Sequence, residues 1–80
     1  NHVVPQDNLI AKCEEILNKI IDMAPLAIAE IVTTVNACYD KKADGFNTEV
    51  ERFGACFVTN DFKEGTEAFL GKRKANFSGN

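Results

Sequence analysis

The sequence has no tryptophan, one tyrosine, one methionine, two prolines and a single histidine in 80 residues. His2 stands at the ragged start of the chain, so the hydroxyl groups and thiols have no imidazole in reach and no nucleophile–base pair can be drawn. The three cysteines, Cys13, Cys38 and Cys56, lie far apart in sequence. That spacing suits neither a disulfide framework nor a metal site. Each falls at an apolar position of a helical pattern, which reads as a reduced core residue and points to a reducing compartment. No glycine-rich phosphate loop is present, and no strand-like alternation, internal repeat or low-complexity run. The longest apolar region, Ile20 to Val35, is interrupted by Asp22, Pro25 and Glu30, which rules it out as a membrane span of about 20 apolar residues. No basic-then-apolar secretory segment opens the chain.

What the chain does have is helical periodicity. Leu9, Ile10, Cys13, Ile16, Leu17, Ile20, Ile21 and Ala24 follow three-four spacing, with Lys12, Glu15, Lys19 and Asp22 opposite. Pro5 and Asp7 are start signals, so the first helix is expected over 7–23. Pro25 ends it and fits the first turn of a second helix. From Leu26 to Tyr39 that helix is apolar or small on almost every side, the mark of a buried helix. So short a chain has little material to surround it, which predicts contacts beyond these residues. Asp40 to Gly45 reads as a loop. A third helix, about 46–58, carries Phe46, Val50, Phe53 and Phe57 on one stripe, with Thr48 and Glu51 at capping-box spacing. Gly54 inside it reads as a point of close helix packing or of ligand approach. Thr59, Asn60 and Asp61 can cap a fourth helix, with Glu64 three residues after Asp61. Phe62 and Phe69 share its expected inner face, Gly71 is its stop, and Ser78-Gly79-Asn80 is expected to fray. The fold class is therefore all-α, a small bundle of about four helices in one domain, residues 1–80.

Formal charge is −3 but uneven. Residues 1–62 hold five cations and ten anions, net −5, whereas residues 63–80 hold four cations and two anions, net +2. The acidic body excludes general nucleic-acid binding; the basic end can still meet one phosphate-bearing ligand. Lys72-Arg73-Lys74 is the candidate patch. Successive helical residues point about 100° apart, so one or two of the three can face a phosphate. The plainer alternative is that they complement the dipole of their own helix. Glu30 is a carboxylate in an otherwise apolar helix, either an acid–base group or simply a residue at the rim of the bundle or paired with a lysine.

The run from Arg52 to Gly79 combines Thr59-x-Asp61-x-x-Glu64-Gly65 with Ala68-Phe69-x-x-Lys72-Arg73-Lys74-x-x-Phe77. Together these resemble the carboxyl-terminal end of the enoyl-CoA hydratase (crotonase) family. The likeness is strongest from Phe53 onward. It extends collinearly over the rest, through His2-Val3-Val4-Pro5, Ala24-Pro25-Leu26-Ala27 and Val35-Asn36-Ala37. It implies a larger enzyme that adds water to 2-trans-enoyl-CoA, with an α/β spiral core upstream. That core would hold two catalytic glutamates and an oxyanion hole of two backbone N–H groups, none of them in these residues. The catalytic set here is accordingly none, and no metal or cofactor is implied beyond coenzyme A as part of the substrate. The resemblance further implies that these helices join subunits into trimers and hexamers, and that Phe53 and Phe69 lie near bound acyl-CoA. It places Lys72 to meet a CoA phosphate. Gly71 before Lys72, and Ala75 where the family often has proline, depart from the usual pattern. The implied location is cytoplasmic, or the mitochondrial matrix in a eukaryote, with no membrane partner. Family members with other chemistry often drift in the tail, but the resemblance does not separate a hydratase from close isomerase or dehydratase relatives. A free-standing helical interaction module, or an acyl-CoA carrier working as an isolated bundle, would fit the periodicity alone.

Overall fold

Proline and capping residues set the helix boundaries in the computed structural model, which describes residues 1–80. A single 3₁₀ turn, Gln6–Asn8, leads into α1, Leu9–Ile21. Glu15 accepts from Lys12 at 2.7 Å and from Lys19 at 2.8 Å on the polar face of α1, and the two lysines hold its carboxyl well below the usual range, at about 2. After three intervening residues Pro25 starts α2, Pro25–Ala37, which lies at 111° to the 3₁₀–α1 segment. The helix α3, Gly45–Cys56, begins at Asp44, whose side chain accepts from the Asn47 N–H. Then α4, Asn60–Leu70, begins at Thr59, whose hydroxyl accepts from the Phe62 N–H. The chain is thus all-helical with four α-helices, as its periodicity predicts.

One capping detail differs from expectation. Thr48 lies inside α3 and Glu51 accepts from the Asn47 side chain at 2.8 Å. Asp44, one turn earlier, takes the cap, because its carboxylate reaches the third residue on while its backbone is still extended.

The helices spread as a plate, 43 × 41 × 18 Å, with a radius of gyration of 15.8 Å. A compact domain of this length has a radius of about 12 Å. Helices α2 and α3 pack on each other most extensively. A run of aromatic rings links α3 to α4: Phe53 meets Phe57 edge-on at 5.0 Å, and Phe57 meets Phe62 at 4.4 Å. Only Ala68 and Asp61 are fully buried. Cys13 and Cys38 are exposed and Cys56 half-buried, with no bond between them, so the cysteines do not form the core within this chain that their helical positions suggest. Ile31, Val32 and Val35 of the apolar helix α2 are each more than half exposed. No single helix is long and apolar enough to cross a membrane.

The carboxyl-terminal residues, expected to fray, instead fold back along α4. The buried Asp61 carboxylate accepts the N–H of Ser78 at 2.7 Å and of Gly79 at 2.9 Å. The Asp61 N–H donates to the Asn80 carbonyl at 3.1 Å. Gly79 adopts φ 79°, and a Cβ there would meet Pro25 at 3.2 Å, so glycine is needed both for its backbone angle and for its closeness to α2. Beside it the Phe77 ring lies over Gly65, where a Cβ would stand 3.3 Å from the ring.

Candidate functional site

The three residues singled out by resemblance sit on separate elements. Phe53, on α3, lines an open groove of about 720 Å³ between α2 and α3, together with Ile31, Val35, Val50 and Phe62. Phe69, on α4, is 83% exposed and borders a second cavity of about 390 Å³ with Gly65 and Phe77. Of the two aromatics expected on the inner face of α4, Phe62 is the more covered, at 40% exposure, and the buried positions of that helix are Asp61 and Ala68. The two cavities are neighbours, since Ala27, Cys56 and Phe62 line both. Lys72 lines neither of them.

Glu30 also lines the α2–α3 groove, where its Oε2 lies 3.6 Å from the Arg52 guanidinium of α3. That oxygen is buried and accepts no hydrogen bond. Glu30 is thus paired with a cation, but with Arg52 and not with the lysine expected. A Cβ added at Gly54 would have nothing within 4 Å, so no helix of this chain packs against it.

The end of α4 is closed by a defined set of backbone bonds. The Lys72 N–H donates to the Phe69 carbonyl at 3.3 Å and the Arg73 N–H to the Ala68 carbonyl at 3.0 Å. These are the two bonds of a Schellman stop, whose left-handed residue is most often glycine. Here that residue is Lys72, at φ 51°. Gly71, the expected stop, sits one place earlier at φ −78° and serves by size instead: a Cβ there would meet the Glu67 carbonyl at 3.1 Å.

The basic run divides three ways. Arg73 forms a two-point fork on Glu64, at 2.6 and 2.8 Å. Lys74 pairs with Asp22 at 2.8 Å across the chain. Lys72 alone has no ion-pair partner. Glu64 also accepts the Asn76 N–H at 2.7 Å. The Arg73 fork, then the Asn76 N–H, hold the Glu64 carboxyl at about 2, and Glu64 in turn raises the Arg73 guanidinium. Local spacing assigns Asp61 and Glu64 to the helix start. Their true partners are brought in by the chain reversal at Lys72, which no local spacing reveals.

The arrangement thus presents two apolar cavities walled by aromatic rings and, at the end of α4, one unpaired cation. It offers no catalytic dyad and no cluster of His, Cys, Asp and Glu side chains able to hold a metal. Comparison with known proteins gives this geometry its setting. The sequence profile of the enoyl-CoA hydratase/isomerase family matches residues 1–80, and the chain belongs to that family. It is 37% identical to the crotonyl-CoA hydratase of Syntrophomonas wolfei over 96% of its length, and 36% identical to a mitochondrial enoyl-CoA hydratase of Pongo abelii over 94%. It is 34% identical to the methylmalonyl-CoA decarboxylase of Escherichia coli over 99% of its length and 31% of that protein. A solved enoyl-CoA hydratase/isomerase structure from Mycobacterium abscessus superposes with a TM-score of 0.85 at 28% identity, over 99% of this chain and 33% of that one. The chain spans 30% and 26% of the lengths of the first two relatives.

Proposed function

We propose that these residues form the carboxyl-terminal helical part of an enoyl-CoA hydratase, which adds water to 2-trans-enoyl-CoA to give 3-hydroxyacyl-CoA. In this reading the segment supplies subunit association, in a trimer or hexamer, and part of the acyl-CoA site. The catalytic glutamates belong to the remainder of the enzyme. Phe53 and Phe69 flank the bound acyl-CoA and Lys72 meets a CoA phosphate. The enzyme works in the cytoplasm or the mitochondrial matrix, with no cofactor beyond the CoA of its substrate.

The observation that carries this reading is the surface. A compact protein of 8.8 kDa exposes about 4,800 Å², whereas this chain exposes 6774 Å². The excess of about 2,000 Å² is in the range that a permanent interface covers. Much of the exposed side-chain surface is apolar, Phe46, Phe69, Val58 and Leu70 each being at least 75% exposed. Such a plate is stable when laid against other protein, as an enzyme's core or a neighbouring subunit would provide.

The test is hydration of crotonyl-CoA, followed by loss of the thioester-conjugated double bond in the ultraviolet. The longer enzyme carrying this segment is expected to be active and the 80-residue chain inert. Activity in the short chain, lost on mutating one of its own glutamates, would overturn the reading. The decarboxylase relative favours a second reading, in which the same tail serves another acyl-CoA reaction. Assaying methylmalonyl-CoA alongside crotonyl-CoA separates the two.

A further inference from the structure

Lysine at the left-handed position of a helix stop is costly. An L-residue with a Cβ loses roughly 1 kcal/mol there relative to glycine, and a glycine already stands next door at position 71. Backbone strain kept in place by its surroundings is a pointer to function. Of three successive cations, two are consumed by Glu64 and Asp22, and the strained one is left without a partner. The residues around it are fastened on both sides. Before it, the Gly71 N–H donates to the Glu67 carbonyl at 2.9 Å. After it, Arg73 is held through its backbone by Ala68 and through its guanidinium by Glu64, and Asn76 is held by the same carboxylate.

We propose that Glu64 is a positioning residue for Lys72. By clamping Arg73 and Asn76 it fixes the chain reversal at the end of α4, and so the direction in which Lys72 leaves it, toward the phosphates of acyl-CoA. This rests on the reading of Lys72 given above. Glu64 itself touches no substrate. The two-point fork matters because a guanidinium on a carboxylate defines an orientation as well as an attraction. It also keeps Arg73 from competing for the phosphate, leaving one cation in one place.

The test uses the longer enzyme with two substrates, crotonyl-CoA and crotonyl-pantetheine, which lacks the CoA phosphates. Glu64→Gln is expected to raise KM for crotonyl-CoA at least about threefold while kcat falls less than about twofold, the signature of a lost remote binding contact. With crotonyl-pantetheine the KM increase should vanish. Lys72→Ala should show the same pattern, and the double variant should be no worse than Lys72→Ala alone. Equal KM increases on both substrates, a parallel fall in kcat, or additive effects in the double variant would overturn the role of Glu64. If instead Lys72→Ala leaves KM for crotonyl-CoA unchanged, the phosphate contact itself fails, and the positioning role with it. Should Glu64→Gln not fold, Arg73→Lys carries the same test, since it keeps the charge but gives up the fork.

Discussion

Asp61 is the one fully buried polar residue in the chain, and its two oxygens each hold a backbone N–H of the returning tail. Replacing it by asparagine keeps the shape but turns one acceptor into a donor. One of the two tail N–H groups then faces another donor, and the remaining bond loses its charge. Hydrogen bonds to a charged group contribute about 1.5–3 kcal/mol each. Allowing for water reaching the released N–H groups at the exposed chain end, tail docking should weaken by about 2–4 kcal/mol. That is a change of roughly 30- to 1,000-fold in the docked-to-undocked ratio. The assay is amide hydrogen exchange by NMR. The Ser78 and Gly79 amides should exchange at least about 30-fold faster in Asp61→Asn. The Asn76 amide, held by Glu64, should change less. Unchanged exchange at Ser78 and Gly79 would refute the claim that Asp61 holds the tail.

Two further outcomes follow from single positions. Gly54 lies in an exposed stretch of α3 with open space around its missing Cβ, so Gly54→Ala should stabilise the 80-residue chain by up to about 1 kcal/mol in urea unfolding. A destabilised chain would show that the position is packed after all. Glu64 titrates near 2 when folded, against 4.5 as its ordinary value. A depressed carboxyl stabilises the fold above the ordinary value and loses that contribution as pH falls toward the folded one. Protection of the Asn76 amide should therefore hold at pH 5 and above, decline as pH falls from about 4.5, and be lost below about 2; loss that is complete by pH 4 would contradict the fork.

The site is legible in the sequence only in part. The carboxyl-terminal motif and the basic end are visible as residue types, because Lys72, Arg73 and Lys74 are consecutive and the surrounding body is acidic. Which cation stays free is not visible. That depends on Glu64 meeting Arg73 nine residues later and on Asp22 meeting Lys74 fifty-two residues away. The order of the tail is hidden for the same reason: Ser78, Gly79 and Asn80 have no helical or apolar pattern of their own, and their placement comes from Asp61, Asn60 and Pro25.

Sequence by itself determined the four helices, and their limits to within about two residues, because three-four periodicity, Pro25, Thr59 and the turn at Asp44-Gly45 act within a few residues. It also determined the family, through residues that stay in order along the chain. Only the tertiary structure decided that these helices form an open plate, that the tail closes on α4, and that Lys72 takes the left-handed stop. Each of these depends on free energies between groups distant in sequence: a carboxylate finding two N–H groups, a ring finding the space above a glycine, a fork fixing a reversal. Local pattern carries no trace of such pairings until the chain has folded to make them.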